Sequence, residues 1–359
     1  MHSGPDLVVP PVPAAAAWRF VAALAGLASA ALVTAGAIVY SVDPFQHFRA
    51  PRDHSPRYYR QYQRHLDPGL ARHAEYDIVV TGTSLMENFV NSEVGRSLGG
   101  RAINLSIGAM TAYEMRRLLE VALATGRPRQ IVMDLSFNSF ALKPDGVLTP
   151  DPFPEYLYGT GLRNHMRYLL QALPLKLSME MLAGASWSRY STDADRPWYW
   201  GDEYEFSRRA AVRGLDPQNI NALYKLQPMD LGRLKQNFIR NVLPLLQSHP
   251  EVRFTLVWPP YSILAWIDLR QRGAVETALA FRTFVAESVA GHPNTDIFDF
   301  QADDEITDNL DHYKDIFHYS PAISRWMLEQ IAHRDRRSQL PDIETNNRRI
   351  RAQALVADP

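Results

Sequence analysis

Two short stretches carry residue types that together could perform nucleophilic chemistry. The first is Val80-Thr81-Gly82-Thr83-Ser84-Leu85, an apolar run that ends in a glycine and a serine. The second is Asp315-Ile316-Phe317-His318, close to the other end of the chain. A serine hydroxyl is a weak nucleophile until a base takes its proton, and an imidazole base works best when a carboxylate fixes its tautomer and stabilises its cation. Asp and His three residues apart on a loop can meet both needs. Each stretch also has a plain structural reading: a strand-end serine often caps a helix, and an Asp-x-x-His pair arises by chance in a chain with 11 histidines. The case for chemistry rests on chain order and on where a sheet would place the two stretches. A phosphate loop is excluded at Gly82, which has no second glycine at the needed spacing and no following lysine.

The elements that must position these residues follow from apolar periodicity. Short apolar runs at 77–81, 102–105, 130–135, 253–258 and 295–298 predict strands buried on both faces. Amphipathic stretches at 92–98, 111–124, 230–248, 274–290 and 320–332 predict crossover helices. The repeated strand–helix order predicts an α/β protein with a flavodoxin-like, doubly wound, parallel five-stranded sheet. Ligands meet such sheets at the carboxyl ends of the strands, where Ser84, after the first strand, and Asp315 and His318, after the last, would converge. About 115 residues separate the third strand from the fourth, far more than an ordinary connection, so a large insertion follows strand three. Its aromatic segments, 152–158 and 198–200, suit either a lid or carbohydrate-stacking wall, or simply a subdomain core.

With these blocks in this order the chain resembles the SGNH (GDSL-type) hydrolase and acyltransferase superfamily. Gly82-Thr83-Ser84-Leu85 matches the first block with Thr where Asp is usual, and Asp315 and His318 match the last. The resemblance implies Ser84 as nucleophile, His318 as general base and then acid, and Asp315 as the orienting carboxylate. It further implies an oxyanion hole from Ser84 and from Gly108, in Asn104-Leu105-Ser106-Ile107-Gly108, with Asn138 as the third donor. The third block departs from the family's pattern: Leu135-Ser136-Phe137-Asn138 stands in place of Gly-x-Asn-Asp. Asn138 can equally be a turn residue bonding its own backbone. Ser41-Val42-Asp43-Pro44-Phe45, Trp258-Pro259-Pro260-Tyr261-Ser262 and Tyr313–Ser320 resemble membrane-anchored bacterial envelope members of that superfamily, distantly similar to the D-alanine transfer protein and to alginate O-acetylation proteins. Trp258 and Tyr261 are then expected to line a substrate pocket, unless they serve only in the core.

The N-terminus addresses the compartment. Phe20 to Tyr40 runs about 21 residues without a charge, enough to cross a bilayer. It exceeds the usual apolar length of a cleaved signal, although Ala35-Gly36-Ala37 has the look of a cleavage site. The expected organisation is a tail at 1–19, a transmembrane anchor at 20–40, a juxtamembrane connector at 41–74, the SGNH-like domain at 75–333 with its insertion at about 139–229, and a charged, fraying tail at 334–359. Arginines at 49, 52, 57, 60 and 64 would by count hold the domain in the cytoplasm, but long domains cross regardless. The resemblance instead implies a bacterial cytoplasmic-membrane protein with an extracytoplasmic domain.

The remaining composition narrows the function. A formal charge of -1 gives no field for nucleic acid, and the absence of cysteine excludes thiolate metal sites and cysteine nucleophiles. No His-x-x-x-His or calcium loop is present, so neither metal nor other cofactor is expected. The leading expectation is a serine-dependent acyl-ester hydrolase or O-acyltransferase acting on an envelope or extracellular polysaccharide. Its partners would be an acylated glycan or acyl donor, the membrane through the N-terminal helix, and a membrane polysaccharide-modification complex. The alternative is a non-catalytic anchored glycan-binding or assembly protein on the same scaffold.

Overall fold

The computed structural model describes residues 13–51, 55–148, 152–185, 189–215 and 229–356. The chain forms two compact units, one from Phe45–Gly159 and Ser188–Pro359, the other from Met1–Pro44 and Thr160–Trp187.

The larger unit is a mixed α/β body around a six-stranded sheet: β1 (Ile78–Thr81), β2 (Ala102–Asn104), β3 (Gln130–Asp134), β4 (Arg253–Trp258), β5 (Thr295–Asp299) and β6 (Arg337–Ser338), in the order β2-β1-β3-β4-β5-β6. The first five strands are parallel, and β6 pairs antiparallel with β5. Their apolar runs leave no face for water: β1 and β5 are buried throughout, and Val79 sits between Ile103 and Ile131 in register. The chain steps from β1 to β2 on one side and then crosses to β3 on the other. The connections therefore part at the carboxyl ends of β1 and β3, where open α/β sheets leave a crevice. Helix Ala112–Leu123, between β2 and β3, starts on a capping box in which Thr111 and Glu114 satisfy each other's backbone N–H groups.

Three expectations are corrected. First, the residues after 334 are not a fraying tail, since they form β6 and helix Leu340–Val356. Ile343, Asn347, Ile350 and Ala354 recur at helical spacing and are buried together. The fully buried Arg282 ties this helix down. It donates from Nε to Asn347 Oδ1 (2.7 Å), from Nη1 to Gln301 Oε1 (2.5 Å) and from Nη2 to Asp299 Oδ2 (2.5 Å). Second, the larger unit starts at Phe45 and not near 75. Helix Gln63–His73 buries Leu66 and Leu70, one turn apart, and a Cβ on Gly69 would come within 2.1 Å of Phe45 O. Third, the insertion is not one body. Thr160–Trp187 groups with the N-terminal segment, whereas the stretch from Ser188 belongs to the larger unit, where Trp198 is buried with Nε1 donating to Asn104 O (3.0 Å).

The smaller unit holds one helix, Ala14–Val42, 29 residues long and apolar enough to cross a membrane. It starts earlier than the span expected at 20–40, and residues 1–12 of the expected tail lie outside the described residues. Helices Leu162–Leu169 and Ala172–Leu182 pack on it. Tyr168 donates its hydroxyl to Asp43 Oδ1 (2.9 Å), just past the long helix's end.

Candidate active site

Ser84 lies three residues past β1 in a run of turns, and the next helix, Asn91–Leu98, does not start until seven residues later. Ser84 is therefore not a helix cap. Gly82 makes the turn possible: its φ is +154°, and a Cβ there would sit 2.7 Å from Asp134 Cγ and from Met86 Cγ. The backbone N–H and hydroxyl of Thr83 both donate to Asp134 Oδ2 (3.0 and 2.7 Å), which pins the turn to the end of β3. Asp134 is fully buried, and that burial pushes its carboxyl up to about 6 despite the bonds from Thr83.

The loop before helix Pro321–His333 brings the partner residues. Tyr313 and Tyr319 bridge across it, and Lys314 N–H donates to His318 O (3.0 Å). Buried hydroxyls fasten it to its surroundings: Tyr313 to Pro260 O (3.0 Å), Ser262 to Ile316 O (2.7 Å) and Tyr319 to Leu85 O (2.7 Å). The result places His318 Nε2 2.8 Å from Ser84 Oγ, across 234 residues of chain. On its other side, His318 Nδ1 is 2.7 Å from Asp315 Oδ2.

Asp315 Oδ1 also accepts the backbone N–H groups of Phe317 (2.9 Å) and His318 (2.8 Å), and Lys314 Nζ lies 3.3 Å from Oδ2. Burial works against the charged carboxyl, but the His318 imidazole, its hydrogen bonds and Lys314 outweigh it and hold Asp315 well below the usual carboxylate range. An ionised Asp315 accepts Nδ1–H, which leaves the Nε2 lone pair facing the Ser84 hydroxyl. That is the arrangement by which a histidine removes a serine proton.

The expected oxyanion donors share this sheet edge in part. The β2 loop runs alongside the Ser84 turn, with Ile107 N–H donating to Gly82 O (2.9 Å). The Gly108 N–H, however, donates to Gln63 Oε1 (3.2 Å), and Gln63 Nε2 donates to Glu87 Oε1 (2.7 Å) and Ser106 O (3.0 Å). Burial raises the Glu87 carboxyl above its ordinary value, opposed by Gln63, Arg60 and His318. Asn138 lies half-buried in the short helix Phe137–Phe140 that follows β3.

Trp258 and Tyr261 do not line a pocket. Trp258 is 0% exposed at the end of β4, packed on Phe137 (5.4 Å) and Phe281 (6.0 Å) with Arg282 over its ring. Tyr261 is 2% exposed; its hydroxyl donates to Ser136 Oγ (3.2 Å), and its ring meets Phe317 edge-on. Both sides of the sheet's strand β4 are covered, so aromatic residues there become core.

Other residues border the site. Trp200 donates from Nε1 to Ser84 O (3.2 Å) and stands edge-on to the His318 ring at 5.6 Å. Tyr204 and Phe206 extend this aromatic surface, with Tyr204 51% exposed and Lys314 Nζ 4.2 Å from its ring centre. The aromatic run 198–200 was visible in the sequence, but its contact with Ser84 had no local signal. Asp134 had one: it follows the apolar Ile131-Val132-Met133 at the end of the strand beside the one that leads to Ser84. Among the described residues, no cluster of three or more His, Asp or Glu side chains could hold a metal ion.

No protein-family model and no curated protein matches the chain. Among solved structures, a proposed platelet activating factor from Streptococcus pneumonia aligns at 11% identity, covering 77% of this chain and 91% of its own, with a TM-score of 0.39. A likeness at that level carries no argument about this chain's fold or chemistry.

Proposed function

We propose that this protein is a serine-dependent acyl-ester hydrolase or O-acyltransferase of the SGNH type, anchored in a bacterial cytoplasmic membrane and acting on an acylated polysaccharide outside it. The observation that carries this reading is the unbroken relay Ser84 Oγ, His318 Nε2, His318 Nδ1 and Asp315, with contacts of 2.8 and 2.7 Å. The parallel order β2-β1-β3-β4-β5 supports a flavodoxin-like scaffold, to which β6 adds an edge. The span Ala14–Val42 supports the anchor.

In the proposed reaction Ser84 Oγ attacks the ester carbonyl carbon while His318 Nε2 takes the hydroxyl proton. The oxyanion is held by the N–H groups of Ser84 and Gly108, with Asn138 as a third donor, so it must draw the Gly108 N–H away from Gln63. The imidazolium then protonates the departing alkoxide, leaving an acyl ester on Ser84. Water gives hydrolysis, and a sugar hydroxyl gives transfer. His318 takes the proton of whichever attacks and returns it to Ser84 Oγ as the acyl group leaves. Tyr204 and Phe206, beside Lys314, offer the sugar an aromatic face in place of Trp258 and Tyr261.

The test is labelling of the full-length chain in detergent with a fluorophosphonate serine probe. Wild type should label, while Ser84→Ala and His318→Ala should not. A folded wild-type protein that fails to label would reject the enzyme reading. It would favour a non-catalytic glycan-holding protein, the reading supported by the engagement of Gly108 N–H with Gln63 and by the altered third block.

A further inference from the structure

Helix Leu162–Leu169 is inverted relative to an ordinary surface helix. Leu162, Met166 and Leu170 fall on one stripe at i, i+4 and i+8 and are 76%, 47% and 49% exposed, whereas the residue it buries is the polar-tipped Tyr168. A surface helix of a water-soluble body shows the opposite arrangement. Its neighbour Ala172–Leu182 shares the pattern in part: it buries the polar Ser178 and Glu180 beside Pro174 and Leu177 while exposing Met179 and Leu182.

The outward face of Leu162–Leu169 continues onto the long helix. Leu32, Val33, Gly36 and Tyr40 of Ala14–Val42 form with Met166 and Leu170 an open apolar groove of about 490 Å³. Cations flank the stripe: Arg163 and Arg167 stand beside Met166 and Leu170, and Lys176 sits among the exposed apolar residues of the second helix. An outward apolar face edged with cations suits a bilayer whose acyl chains fill the groove and whose anionic phosphates meet the arginines.

We infer that the helix pair 162–182 is a second membrane contact, lying in the leaflet crossed by the C-terminal half of Ala14–Val42, with lipid chains occupying the groove. This rests on reading Ala14–Val42 as membrane-spanning. The insertion would thus add a lipid-embedded brace to a single-helix anchor and resist tilting and rotation of the anchor.

The chain has no cysteine, so single labels are direct. Environment-sensitive dyes are placed by Leu24→Cys, Met166→Cys, Leu170→Cys and Glu344→Cys in the full chain, reconstituted in vesicles of phosphatidylcholine and phosphatidylglycerol with or without shallow doxyl lipid. The inference expects dyes at 24, 166 and 170 to be blue-shifted, those at 166 and 170 to lose about half their emission to the quencher, and the dye at 344 to be unaffected. Leu24→Cys dye in lipid with dyes at 166 and 170 in water would overturn the inference and leave the anchor standing. All dyes in water would overturn both. Blue-shifted but unquenched dyes at 166 and 170, with copies cross-linking through them, would give the groove to a second copy and also overturn the inference.

Discussion

Replacing Asp315 by Asn tests the relay more sharply than removing it, because the outcome follows from individual hydrogen bonds. Oδ1 of Asp315 accepts the backbone N–H groups of Phe317 and His318 at 2.9 and 2.8 Å, and these donors require an oxygen. In Asp315→Asn the amide oxygen must therefore stay in that place, and the NH₂ group replaces Oδ2, 2.7 Å from His318 Nδ1. Nδ1 is also 2.9 Å from Oδ1, but that oxygen already accepts the two backbone N–H groups, so the nearer amide donor makes Nδ1 the acceptor and moves the ring proton to Nε2, facing Ser84 Oγ at 2.8 Å. The imidazole can then no longer take the serine proton, although the site keeps its shape. The expected loss is roughly 10⁴-fold in the second-order rate of fluorophosphonate labelling, about 5 kcal/mol of activation free energy. The assay compares labelling rates of wild type, Asp315→Asn and Ser84→Ala at pH 7.5, with thermal unfolding to show that all three are folded. Asp315→Asn labelling within about threefold of wild type, with Ser84→Ala unlabelled, would refute the tautomer argument.

Two further predictions concern buried charge. Burial raises the Asp134 carboxyl to about 6, so the folded state keeps this proton at a pH where the unfolded chain has lost it; Asp134 thus makes stability fall, by about 3 kcal/mol, as pH climbs from about 4 to about 6, with no further change above. Asp134→Asn should flatten that part of the profile in denaturant titrations of the detergent-solubilised chain, and an unaltered slope would contradict the assignment. Arg282→Met should lower stability by about 3–5 kcal/mol, because it leaves the buried Asp299 carboxylate without its cation. Adding Asp299→Leu should recover most of the loss, and equal instability of single and double variants would show that the ion pair is not its source.

The strands were legible because their signal is local. Five apolar runs, read one at a time, match β1 to β5 to within a residue at their ends, since a strand buried on both faces must be apolar along its length. The helical face of Leu340–Val356 was equally present in Ile343, Ile350 and Ala354, but the charges between them obscured it, and Asn347 holds the fourth place. Strand β6, two residues long, has no periodicity to detect.

For the site, the residue types and their order were determined by the chain alone: a glycine-preceded serine after the first strand and an Asp-x-x-His after the last. Given parallel strands, all their carboxyl ends point one way, so these residues had to reach one edge. What only the tertiary structure decided is which neighbours share that edge. Trp258 and Tyr261 went into the core, Trp200 came to Ser84 across 116 residues, and Gln63 took the Gly108 N–H across 45. Such contacts depend on how whole elements pack and on how the insertion divides between two units, and no local spacing of residue types encodes them.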